Sequence, residues 1–80
     1  MPSVDRVRGL SDHELCVAWR RSYVALQRAV SFDERWAIVA DRQAYLDELE
    51  RRQPERFSSW LATGPWPASD PEKYFDRRRR

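Results

Sequence analysis

Residues 10–53, LSDHELCVAWRRSYVALQRAVSFDERWAIVADRQAYLDELERRQ, decide the fold. No Gly or Pro interrupts them, and two helix-start signals divide them: Ser11-Asp12-His13-Glu14 and Ser31-Phe32-Asp33-Glu34. In each signal the serine hydroxyl can accept from the backbone N–H three residues on. The glutamate can reach back to the serine N–H, so two orphan donors of the first turn are satisfied. Leu10, before the first cap, and Leu15 add a hydrophobic staple. The expected result is an all-α fold: an antiparallel helical hairpin over 11–30 and 32–52.

The first helix gathers Leu15, Trp19, Ser22, Tyr23, Leu26, Ala29 and Val30 on one face, at the 4-3-4 spacing of a core-facing helix. Its opposite face carries Val17 and Val24 beside Arg21 and Arg28. The second helix has a main stripe of Ile38, Val39, Tyr45, Leu46 and Leu49, with Arg35 and Arg42 on that same stripe. A second, smoother strip holds Trp36, Ala37, Ala40 and Ala44. Two apolar strips on one helix imply two neighbours. Arg35 and Arg42 read either as stems over the core edge whose heads snorkel out to carboxylates, or as a seam with a partner, where Arg is enriched.

Gln53-Pro54 ends the second helix, because a residue before proline is pushed out of α geometry. Pro54 then opens a short third helix, PERFSSWLAT, closed by Gly64, with Phe57, Trp60 and Leu61 on its apolar face. Gly64 to Ser69 is an extended turn in which Trp66, between two prolines, is expected to pin the segment across the helices. Asp70-Pro71-Glu72 starts a short C-terminal helical turn carrying Tyr74 and Phe75. Residues 1–9 read as a flexible N-terminal arm, 10–76 as a single helical domain and 77–80 as a basic tail. The expected core is Trp19, Leu26, Leu46, Leu49, Phe57, Trp60 and Leu61.

Eighty residues sit near the lower limit for one self-sufficient core, and the four Trp, three Tyr and three Phe supply its bulk. The net charge is +2, but removing Arg77 to Arg80 leaves −2, so basicity belongs to the tail. Fourteen of the fifteen basic residues are Arg, which favours planar, bidentate pairing with carboxylates and phosphates.

A single Cys16 excludes an internal disulfide framework, and with the single His13 it makes no structural zinc site. No metal and no cofactor are expected. The N-terminal residues contain no apolar run for a signal peptide, and no stretch approaches a membrane span, so the expected location is cytoplasmic.

His13, Cys16 and Arg20 lie at helical spacing, but no second His and no nucleophile motif accompanies them, so catalysis is not expected. The acids of the second helix, among them Asp41, Asp47, Glu48 and Glu50, read as a solvated face of ion pairs with Arg51 and Arg52. The expected function is a non-enzymatic protein-interaction module, an adaptor or regulator that binds a protein partner or self-associates. Its candidate partner-binding residues are Val17, Arg21, Val24, Arg28, Trp36, Ala40 and Ala44. The alternative is a nucleic-acid-associated accessory protein contacting phosphates through Arg77, Arg78, Arg79 and Arg80.

The stretch 41–75, DRQAYLDELERRQPERFSSWLATGPWPASDPEKYF, resembles the C-terminal part of small uncharacterised helical proteins of actinobacteria and their mobile elements. The features alike are Tyr45-Leu46-Asp47-Glu48-Leu49, Arg51-Arg52 before Pro54, Phe57 with Trp60-Leu61, Gly64, and Asp70-Pro71 before an aromatic pair. The resemblance implies a source and a structural module and transfers no site residue.

Overall fold

The computed structural model describes residues 4–65, 69, 71 and 72. Four helices pack together: α1 Val4–Arg8, α2 Asp12–Arg28, α3 Phe32–Arg52 and α4 Pro54–Ala62. There is no strand among the described residues. The expected turn at Tyr74 and Phe75, the pinning role of Trp66 and the Arg77–Arg80 tail lie outside them.

The first cap forms as a complete box: Ser11 Oγ accepts from Glu14 N at 3.0 Å, and Ser11 N donates to Glu14 Oε1 at 2.8 Å. The second is only half of one. Ser31 Oγ accepts from Glu34 N at 3.0 Å, but Glu34 Oε2 takes the N–H of Val30, at 3.3 Å, instead of that of Ser31. Between the two signals α2 stops at an extended Ala29, whose carbonyl accepts from Arg35 Nε at 3.4 Å. Arg35 therefore ties the end of α2 to the start of α3.

Helix α3 meets α1, α2 and α4. Along α2 and α3, Asp12 meets Arg52, Ser22 meets Arg42, and Ala29 meets Arg35. Gln53 caps α3 and leads directly into Pro54 at the start of α4, and Gly64, at φ +65°, closes the last turn in the left-handed region that favours glycine.

The core unites Val7, Leu15, Cys16, Trp19, Leu49, Phe57 and Trp60, with Leu10, Ala44, Tyr45 and Leu46 packed against it. Trp19 is its node. Its ring meets Trp60 edge-on at 5.9 Å between centroids, and its Nε1–H donates to the Ser69 carbonyl at 2.8 Å. The segment after α4 is thus drawn back over α2, where Pro71 is fully buried.

Several expectations need correction. The stretch 1–9, expected as a flexible arm, contains helix α1, and Val7 is 3% exposed in the core. Five residues cannot hold a helix by propensity; tertiary contacts do so here. Leu61, expected in the core, is 48% exposed, because the buried side of α4 lies between Phe57 and Trp60 and Leu61 stands about 100° round the helix from Trp60. Leu26 is only half-buried. Arg42 neither snorkels outward nor lies on an outer seam, because its whole side chain is buried.

Candidate interaction surface

Two arginines of α3 fix the frame that carries the exposed surface. The Arg42 guanidinium carbon lies 3.8 Å from the centroid of the Trp19 ring, a cation–π contact. Arg42 Nη1 donates to Ser22 Oγ at 2.7 Å, and Ser22 Oγ donates to the Trp19 carbonyl at 2.6 Å. Burial lowers the pKa of Arg42. Its long three-methylene stem lets a residue on the apolar stripe fill a polar niche between two helices, which periodicity alone cannot distinguish from a surface position.

Arg52 is the second. It donates to Glu48 Oε2 at 2.6 Å, to Asp12 Oδ1 at 3.0 Å, and to the carbonyls of Val7, Arg8 and Leu10 at 3.3, 3.2 and 2.6 Å. These carbonyls belong to the last residues of α1 and to the short link into α2, so one planar fork locks α1 onto the start of α2 and the end of α3. Glu48, expected on a solvated face, is 5% exposed and also accepts two bonds from Arg51, at 2.9 and 2.7 Å. The Arg51 hydrogen bonds hold its carboxyl at about 2 against the opposing effect of burial, with Arg52 adding to the shift. Asp47 pairs with Gln43 at 2.8 Å rather than with an arginine.

The residues first considered for chemistry are committed elsewhere. Cys16 is fully buried in the core. His13 Nδ1 pairs with the Glu72 carboxylate, which also lies 4.0 Å from Arg20. Among the described residues no group of three His, Cys, Asp or Glu side chains could hold a metal ion, and no helix is long and apolar enough to cross a membrane.

The frame leaves one apolar strip outside. Phe32, Trp36 and Val39 are 78%, 66% and 45% exposed and recur at i, i+4, i+7 on one face of α3. The rings of Phe32 and Trp36 stack with centroids 6.4 Å apart and planes 7° from parallel, forming an exposed aromatic plate. Val30, two residues before Phe32 at the α2–α3 turn, is 89% exposed. On the wheel this strip continues the α3 face that carries Leu46. Helix α4 has nine residues against twenty-one in α3, so it is too short to cover the whole of that face.

Of the sequence-derived candidates, Trp36 lies in this plate. Ala44 packs against the core and Ala40 is half-buried, so the strip drawn through the three residues does not form one surface. Arg21, Val24 and Arg28 are exposed along α2. Val17 and Arg21 line an open groove of about 520 Å³ between α2 and α3, with Ala18, Ala25, Ile38 and Asp41. Burial and nearby Asp41 raise the pKa of Tyr45 at its edge. Phe32 and Val30 were missed as surface residues. The available signal was that Phe32 sits inside the cap motif, at the first position of α3.

No family model, curated protein or solved structure matches the chain.

Proposed function

We propose that this chain is a small non-enzymatic protein-interaction module built on an antiparallel α2–α3 hairpin, with the Phe32–Trp36 plate as its docking surface. The hairpin reading rests on the opposed order of the contacts from Asp12–Arg52 through Ser22–Arg42 to Ala29–Arg35. The observation that carries the functional reading is the plate itself: two stacked, exposed aromatic rings on a rigid helix. Exposed aromatics clustered in one patch are characteristic of protein interfaces. The burial of Cys16 and the engagement of His13 with Glu72 leave the chain's best nucleophile and base away from that surface.

The test is capture from source lysate by the immobilised chain, comparing wild type with the Phe32→Asp/Trp36→Asp double variant. Retention of a protein by the wild type, lost in the variant and unchanged by raised salt or by removal of Arg77 to Arg80, supports the reading. Retention that follows salt and the arginine tail while ignoring both aromatics refutes it and favours nucleic acid.

A further inference from the structure

The plate has features that select its occupant, and these rest on the interaction-module reading above. We infer that it is an isologous interface: the partner is a second copy of this chain, related by a two-fold axis through the aromatic plate.

Area is the first argument. Aromatic side chains present roughly 150–250 Å² each, so Phe32 and Trp36 at 78% and 66% exposure offer about 300 Å². Val30 and Val39, at 89% and 45%, bring the apolar total to on the order of 450 Å². A standard interface takes about 800 Å² from each partner, and homodimer interfaces are about 65% apolar. The requirement is therefore about 500 Å² of apolar surface per chain, and the plate matches it.

Charge is the second. Arg28, in the last turn of α2, and Asp33, in the first turn of α3, flank the turn with opposite signs. Both are exposed, and neither has an ion-pair partner among the described residues. A surface with a cation on one flank and an anion on the other is complementary to itself under a two-fold rotation. Arg28 of each copy then faces Asp33 of the other across the rings. A partner of one dominant sign would leave one of these flanks opposed.

The experiment is light scattering and sedimentation equilibrium on the full chain, with circular dichroism to confirm that each variant is folded. At about 100 μM the wild type is expected to approach twice the 9.6 kDa chain mass. Trp36→Asp should return it to the monomer. Asp33→Arg should weaken association at least tenfold by placing arginines opposite one another. The swap Arg28→Asp/Asp33→Arg should restore it to within about threefold, a rescue that unspecific apolar clustering would not show. A wild type that stays monomeric at that concentration overturns the inference. So does a dimer that survives Trp36→Asp, one abolished instead by Ala25→Arg in the α2–α3 groove, or a charge swap that fails to rescue. A monomer that still captures a foreign protein through Trp36 would overturn self-association while leaving the interaction-module reading intact.

Discussion

Replacing Arg52 with alanine should cost this protein about 3 kcal/mol, and the figure follows from what the guanidinium holds. Its side chain is 14% exposed and serves two carboxylates and three carbonyls on three segments of chain. Hydrogen bonds involving a charged group contribute about 1.5–3 kcal/mol each where they are shielded from water. Not all of that is lost. Glu48 keeps Arg51, Asp12 is 33% exposed and rehydrates, and the 3.2 and 3.3 Å carbonyl contacts are weak. The shielded bonds to Glu48 at 2.6 Å and to Leu10 at 2.6 Å remain as the main loss. An 80-residue domain has about 4–12 kcal/mol in all, so the variant should be close to unfolding. At about 4–8 °C per kcal/mol for a domain of this size, Tm should fall by about 12–24 °C.

Arg52→Lys separates charge from geometry. An ammonium can serve Glu48 and Asp12 but cannot span three carbonyls as a planar fork does, so it should recover only about half of the loss. The assay is thermal unfolding by circular dichroism, paired with limited trypsin digestion under native conditions. Because Arg52 locks α1, cleavage after Arg6 and Arg8 should accelerate before the rest of the chain becomes sensitive. An alanine variant within about 3 °C of wild type, or a lysine variant indistinguishable from wild type, would refute the account of Arg52 as a multi-segment clamp.

Glu48 gives the chain an acid limit. Its folded-state value is depressed, to about 2, so its stabilisation is complete above the ordinary 4.5 and is lost as pH falls from there through about 2. After discounting for solvent at half-exposed Arg51, the loss is about 2 kcal/mol, read as a drop in urea midpoint that Glu48→Gln should largely abolish. Trp60→Ala should cost about 3–5 kcal/mol by opening a cavity beside Trp19 and Phe57, measured by chemical denaturation. Cys16 should resist an aromatic disulfide reagent in the native protein and react about a thousandfold faster in denaturant, since the thiol is reached only by opening the core. Native reactivity close to the denatured rate would contradict the packing around Leu15 and Leu49.

The helices announced themselves because their signals are local. Ser11 and Ser31 with their glutamates, Pro54 and Gly64 act within a turn of their own positions, and all four fall at the ends of observed helices. Helix α1 had only Ser3 before it and Gly9 after it, with too few residues between them to predict a helix. Its five residues are held by Val7 in a core built from distant segments and by an arginine forty-four positions or more downstream. Arg42 was readable as an exception on an apolar stripe, but whether such an arginine turns outward or inward depends on Ser22 and the face of Trp19, which only packing brings together. Leu61 failed for the opposite reason. Its spacing was right for α4, yet one neighbouring surface can bury only one side of a nine-residue helix. The plate is half legible: Trp36 stands out as bulky on a smooth strip, whereas Phe32 lies inside a capping motif, whose pattern says nothing about where its ring goes.

The crossing of the late segment over α2 also decides how the molecule can be tethered. Glu72 reaches His13, and α1 hangs from Arg52 beside Asp12, so both outer segments converge on the opening turn of α2. The aromatic pair begins at the far end of α3, whose twenty-one residues span about 30 Å. A label, solid support or fused cargo attached through either segment would therefore hang off the opposite pole, leaving the rings presented outward like the head of a stamp.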